Sequence, residues 1–238
     1  MKKILLASGC SFTDNNFRSI FHPEMDTSWS KWPELLAEKL DMECINLGRS
    51  GAGNEYIYNS IVDKFLQLDK SRIGLVIAGW SKYERRDWEE YYTGGDLKWT
   101  NGPIDDIGNT HYFIKKSLRY YYNFQIFCEY HNIPYKHCQM LAPFTSIENA
   151  KVVKSQYWQK IKKVAIYSKN DLIKTFFGSD YIENINEKNF IGWPIISEMD
   201  GYNMEDYIIE NKYIISENDK HPNAKGQEKI ADFIYENL

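Results

Sequence analysis

The sequence predicts an α/β fold: a three-layer α/β/α sandwich, flavodoxin-like, on a mostly parallel sheet of about five strands. Three observations carry that expectation. Short apolar runs alternate along the chain with stretches of helical apolar spacing, which is the pattern of strands joined by covering helices. The runs at the heart of 2–8, Ile4 to Ala7, and at 73–80 are unbroken by charged residues, as strands buried on both faces are. Gly9, the glycines between 48 and 53, and Pro134 break the chain at element junctions.

Taken in order, residues 2–8 read as a short strand that ends at Gly9. WPELLAEKL, residues 32–40, has helical apolar spacing, with Pro33 in the first turn where a missing N–H costs little. MECINLG reads as a second strand and runs into a glycine-rich loop. NEYIYNSIVDKFLQL then predicts a helix with Ile57, Ile61, Phe65 and Leu68 on one face. IGLVIAGW is a third strand, and residues 115–131 form a long amphipathic helix. IPYKHCQML, opened by Pro134, is a fourth strand, and residues 155–177 read as helical. NAKGQEKIADFIYENL closes the chain as an amphipathic helix after His221-Pro222. The segments 87–113 and 178–212, rich in aromatic and turn residues, read as insertions within a single domain spanning 1–238.

Composition excludes several classes. With 238 residues, 43% hydrophobic and 26% charged, the chain suits one globular domain with a sizeable core. A net charge of −4 gives no platform for nucleic acid. No stretch reaches the roughly 18 apolar residues of a membrane span. The basic start is followed by an apolar core, Ile4 to Ala7, shorter than the roughly 7–15 residues of an export signal. Cys10, Cys44, Cys128 and Cys138 show no disulfide framework, which points to reduced thiols and a cytoplasmic setting. Cys128, His131, His137 and Cys138 are metal-ligand types without a paired Cys-x-x-Cys, so neither a metal nor an organic cofactor is expected.

In a parallel sheet, ligands gather at the carboxyl ends of the strands. That rim collects Ser11, the loop 48–54 and residues 79–81. Ser11 sits where a strand-to-helix turn exposes a nucleophile, although a serine there also suits an ordinary turn. His221 precedes a proline and a helix, with Asn218 and Asp219 near enough to orient its ring; an exposed loop histidine is the plain alternative. Gly51 offers an amide that no side chain shields, and Asn54 a side-chain amide. The same loop also resembles a phosphate site before a helix, but it lacks the Lys-Ser/Thr ending of a P-loop and the G-x-G-x-x-G spacing. Trp80 and Arg85, just after the third strand, stand beside the expected pocket, where an arginine suits a carboxylate or phosphate. The aromatic segments suit stacking on sugars.

In these residues the chain resembles the SGNH (GDSL-type) hydrolase superfamily. Gly9-Cys10-Ser11 resembles its Gly-Asp-Ser block, NLGRSGAGN its glycine block, and DKHPN with the helix beyond it its terminal Asp-x-x-His-Pro block. The blocks occur in the family's order across almost the whole chain. The resemblance implies Ser11 as nucleophile, His221 as base, and Gly51 as an oxyanion donor. Three departures stand out. Cys10 replaces the aspartate of the first block. The family's asparagine block, Gly-x-Asn-Asp, is matched only by Gly79-Trp80-Ser81-Lys82, so Ser81 stands at the asparagine position, and losing one oxyanion donor costs roughly 100–1,000-fold in turnover. Asn218 occupies the usual aspartate position; Asp219, one residue nearer, orients His221 if the loop is shifted, and otherwise the site runs as a serine–histidine dyad.

The function so implied is a serine esterase acting on a small-molecule or carbohydrate ester, such as an acetyl ester, with no cofactor; acyl transfer also occurs in the family. Ser11, His221 and Asp219 are the expected catalytic residues, and Gly51, Asn54 and Ser81 the oxyanion donors. Activity that needs a neutral base falls on acidification through the ordinary imidazole range, near about 6.5. Two other readings stay open: a catalytically weak binding module, and a phosphate- or nucleotide-binding protein using the loop 48–54.

Overall fold

The computed structural model describes residues 1–91, 97–102, 110–143 and 169–238. Seven strands and six helices are found there, in the order β1 (Ile4–Ser8), α1 (Trp32–Lys39), β2 (Glu43–Asn46), α2 (Asn54–Gln67), β3 (Ile73–Trp80), β4 (Arg86–Tyr91), β5 (Leu97–Gly102), α3 (Thr110–Tyr130), β6 (Tyr135–Gln139), α4 (Lys169–Phe177), β7 (Phe190–Ile191), α5 (Met204–Glu210) and α6 (Ala224–Glu236). Five strands form one parallel sheet in the order β2-β1-β3-β6-β7. β4 and β5 pair antiparallel as a separate hairpin. The helices expected at 32–40, 54–68, 115–131 and 223–238 are all present, within a few residues at each end.

Strand periodicity divides the core into two layers. Ile4 and Leu6 of β1, with Val76 and Ala78 of β3, face α2, α3 and α4, where they meet Ile57, Ile61, Leu118, Phe124 and Phe176. Leu5, Ala7, Leu75 and Ile77 face the opposite way, onto Trp32 and Leu36 of α1, Ile208 of α5, and Ile230 and Ile234 of α6. Side chains on both sheet faces are buried, which is why β1 and β3 carry no charged residue and only the buried Ser8 is polar.

Two parts of the expected scheme need comment. The fifth strand, β7, lies within 178–212, a segment with no legible pattern; its two residues pair with His137 and Cys138. Two residues are too few to show a period, so only the neighbouring strand identifies them as β. Of the helix expected at 155–177, residues 169–177 are helical, and 155–168 lie outside the described residues. The insertion expected at 87–113 contains most of the β4–β5 hairpin. Among the described residues, no helix is long and apolar enough to cross a membrane.

β1 and β2 are adjacent and parallel, so the chain leaving each of them meets the other at one edge. There the backbone at Gly48 lies against Thr13: a Cβ on Gly48 would stand 2.5 Å from the Thr13 carbonyl carbon. Gly9 is as confined, with Thr13 Oγ1 at 2.1 Å from such an atom. Because the obstacle at Gly48 is backbone, it cannot rotate away. Gly48→Ala is expected to destabilise the fold by about 1–3 kcal/mol, the usual cost of overpacking, measured as a lowered urea midpoint at unchanged slope.

Candidate active site

The turn after β1 places Ser11. The amides of Thr13 and Asp14 both donate to the Cys10 carbonyl, at 2.9 and 3.1 Å, closing a tight turn with Ser11 inside it. Cys10 points into the core on the α1 and α6 side, and burial pushes its thiol pKa up, against the opposing influence of Arg85. A buried, protonated thiol therefore replaces the aspartate of the resembling block without bringing a charge. Gln227 of α6 holds the turn from outside, donating to the Phe12 carbonyl at 3.0 Å while accepting from the Trp32 amide at 2.9 Å.

His221 arrives from the far end of the sequence. Its carbonyl accepts from the Ile215 amide at 2.9 Å, and Asn223 caps α6 by accepting from Gly226 at 2.8 Å while donating to the Ile214 carbonyl. These bonds fix the short segment carrying the imidazole. His221 Nε2 lies 2.9 Å from Ser11 Oγ. On the other side of the ring, Nδ1 donates to Asp219 Oδ1 at 2.6 Å. An ionised Asp219 makes Nδ1 the protonated nitrogen, so Nε2 accepts the Ser11 proton. The rings of Phe12 and Phe17 flank the imidazole, with centroids at 5.7 and 4.3 Å.

Asp219, and not Asn218, contacts the ring. Its Oδ1 also accepts from the His221 amide at 3.1 Å, a local turn that the two-residue spacing permits. Asp219 Oδ2 accepts from Ser19 Oγ. Burial alone would raise the Asp219 pKa, but the hydrogen bonds from His221 and Ser19 outweigh it and bring it down to about 2. Sequence reasoning missed both Ser19 and Phe17, because nothing in the local pattern of residues 12–31 marks a partner two hundred positions away.

Between β2 and α2, the glycine loop lies beside this turn. The Arg49 amide donates to the Gly9 carbonyl at 3.0 Å, and Asp14 accepts from both the amide and the hydroxyl of Ser50. Gly51 has a φ of +81°, a left-handed conformation that glycine adopts without strain. Among the described residues, the amides of Ser11 and Gly51 meet no acceptor.

Two expected site residues are placed differently. Asn54 presents no amide to an oxyanion. Its Nδ2 donates to Ser117 Oγ at 3.0 Å and to the Ser81 carbonyl at 3.4 Å, and its Oδ1 accepts the Ser81 amide at 2.8 Å. Asn54 is thus a clamp on residue 81. Trp80 does not line a pocket, because β3 still runs through it and its parity is that of Val76 and Ala78. Its ring is buried against Tyr121 at 4.6 Å, and its Nε1 donates to His137 Nδ1 at 3.0 Å. Burial lowers the pKa of His137 to about 3, so that ring stays neutral and accepts this bond. Ser81 itself is buried, and its Oγ has no partner among the described residues. Arg85 does stand beside the loop, bracing it through a 3.0 Å bond to the Ala52 carbonyl.

The phosphate-site reading of this loop meets an obstacle. Asp87 places its carboxylate on the N-terminus of α2, accepting from the Gly53 amide at 2.8 Å and the Tyr56 amide at 2.9 Å. The position where a helix N-terminus would hold an anion is filled by the protein's own carboxylate. No group of three or more metal-ligating side chains occurs among the described residues.

No family model matches the sequence, and no curated protein does. Solved structures do match in fold. Esterase EstA from Pseudoalteromonas sp. is 13% identical over 99% of this chain and 96% of its own, with a TM-score of 0.52. A protein from Desulfitobacterium hafniense, assigned to the lipolytic G-D-S-L family, is 14% identical over 99% of both chains, at 0.50. Lipase Lip_vut3 from a goat rumen metagenome is 13% identical over 99% of this chain and 97% of its own, also at 0.50. The chain has the SGNH hydrolase fold.

The lowered pKa of Asp219 has a stability consequence. A carboxyl held below its ordinary 3.8 stabilises the fold above that value, and the contribution is lost as the pH falls through about 2. Asp219→Asn is expected to be less stable than wild type by on the order of 2 kcal/mol at pH 7. The difference should close between about pH 4 and pH 2 in denaturant titrations run across that range.

Proposed function

We propose that the protein is a serine esterase that hydrolyses an acyl ester through an acyl-enzyme. One observation carries this reading: the unbroken hydrogen-bond chain from Asp219 through His221 to Ser11. As Ser11 Oγ attacks the acyl carbon, its proton passes to His221 Nε2, and Asp219 stabilises the imidazolium that forms. The amides of Ser11 and Gly51 receive the developing oxyanion, and the Ser81 hydroxyl is the third donor. His221 then gives its proton to the leaving alcohol. Water, deprotonated by the same ring, attacks the acyl-enzyme, and the proton returns to Ser11 Oγ as the acid departs. An alcohol in place of that water would make the reaction an acyl transfer.

The substrate class favoured is an acyl ester on a small molecule or carbohydrate, with acetyl the first to test. Arg85, which braces the loop through the Ala52 carbonyl, is the residue assigned in this reading to a carboxylate or phosphate near the ester. Support for the chemistry also comes from the fold shared with EstA, an esterase whose structure was determined inhibited by monoethylphosphonate.

The serine at position 81 favours a second reading, a binding module with weak chemistry, because a hydroxyl supplies a weaker donor than the asparagine amide of the resembling block. Labelling with a fluorophosphonate, read by intact mass, separates the two. Wild type is expected to gain one adduct, absent from Ser11→Ala and His221→Ala. A folded wild type that gains none establishes the binding module instead.

Ser81→Ala is expected to lower kcat by about 100-fold, at the lower end of what a lost oxyanion donor costs, while Ser81→Asn retains activity. Unchanged turnover in Ser81→Ala would remove that hydroxyl from the mechanism. Hydrolysis of acetyl and longer acyl esters of p-nitrophenol supplies both numbers.

A further inference from the structure

The chain between β1 and α1 does more than carry the nucleophile. Its Phe17 ring lies 4.3 Å from the His221 ring, centroid to centroid. Two residues on, the buried Ser19 donates its hydroxyl to Asp219 Oδ2 at 2.5 Å, while Ser19 Oγ accepts from the His22 amide at 2.9 Å. His22 closes the circuit: its Nε2 lies 2.7 Å from Ser216 Oγ, which accepts from the Asp219 amide at 3.1 Å. The segment around Phe17 is itself anchored, since Thr27 Oγ1 donates to the Phe17 carbonyl, and Lys31 Nζ donates to the Thr27 carbonyl at 2.6 Å.

The geometry at Asp219 gives Ser19 a specific task. With only one residue between Asp219 and His221, Oδ1 must serve both the amide and the ring of His221. Both of those bonds lie on one side of the carboxylate and come from the residue it has to steer. Among the described residues, only Ser19, two hundred positions earlier, holds the other oxygen and so fixes the carboxylate plane from outside the loop. We infer that Ser19 is a positioning residue for the base: its hydroxyl sets the Asp219 carboxylate so that His221 Nε2 is aimed at Ser11. This rests on the esterase reading, in which the direction of Nε2 determines the rate of proton transfer. It also accounts for an aspartate working at the shortened spacing.

The test compares wild type with Ser19→Ala, Ser19→Thr and Ser19→Cys in two measurements. One is the rate of fluorophosphonate labelling, and the other is the titration of the His221 ring by NMR with histidine labelled in nitrogen-15. Removing a hydrogen bond to a charged group is expected to slow labelling by Ser19→Ala about tenfold. The His221 midpoint should differ from that of wild type, because the carboxylate that orients the ring has lost its outer donor. Ser19→Thr, which keeps the hydroxyl, should restore both. Ser19→Cys is nearly isosteric with a weak donor, so it gives the answer if Ser19→Ala does not fold. A hydroxyl-free or thiol variant with wild-type labelling rate and an unmoved His221 midpoint overturns the inference, whatever its melting temperature. If wild type itself takes no label, the esterase reading fails, and the ring titration alone decides whether Ser19 sets the base: a shifted midpoint supports it and an unshifted one overturns it.

Discussion

Parallel strands release their chain continuations at the same edge of a sheet, and β1 is paired in parallel on both sides, with β2 and with β3. The turn carrying Ser11, the glycine loop and the residues after β3 therefore emerge side by side at one rim. They also emerge crowded. A Cβ at Gly48 would run into the Thr13 backbone, and one at Gly9 into the Thr13 side chain. Asp14, bonded to Ser50, and the Gly9 carbonyl, bonded to the Arg49 amide, lock the two loops at that separation. The nucleophile turn and the loop carrying Gly51 are consequently one rigid unit.

Beneath this rim lies a buried polar network in place of a purely apolar core. Asn54 holds both the amide and the carbonyl of Ser81, and Gln139 of β6 donates to that same carbonyl at 3.1 Å. Gln139 in turn accepts from Tyr121 at 2.7 Å, and Trp80 donates to the neutral ring of His137. Buried polar groups of this kind are costly when unpaired, and once paired they specify one arrangement. Here the arrangement they specify is the backbone at residue 81. The backbone of the residue changed relative to the resembling block is thus held at both its amide and its carbonyl, while its hydroxyl, like His137 Nε2 in the same network, has no partner among the described residues.

The same logic separates the two ends of the glycine loop. Its N-terminal half is tied to the nucleophile turn. Its C-terminal half is capped by Asp87, a buried carboxylate that takes the α2 amides a phosphate would otherwise meet. A loop with glycine at 48, 51 and 53 admits both an oxyanion site and an anion-binding helix start from composition alone. The position of one aspartate, thirty-odd residues later, distinguishes them.

Much of this was legible in the sequence, because the signals involved are local. Uninterrupted apolar runs mark β1 and β3, helical spacing marks α1, α2, α3 and α6, and short blocks carry Ser11, Gly51 and His221 in order. What the sequence by itself determined is the layer architecture and which residues reach the rim, since both follow from periodicity and from the rule that parallel strands share an edge. Tertiary structure alone decided the rest. It turned Trp80 inward by the parity of β3, made Asn54 a clamp instead of a donor, and selected Asp219 over Asn218. It also brought Ser19 and Phe17 onto a base two hundred residues away. Each of these depends on which distant atom lies within about 3–4 Å of a side chain, the range over which hydrogen bonds and packing act. Sequence spacing carries no record of such distances.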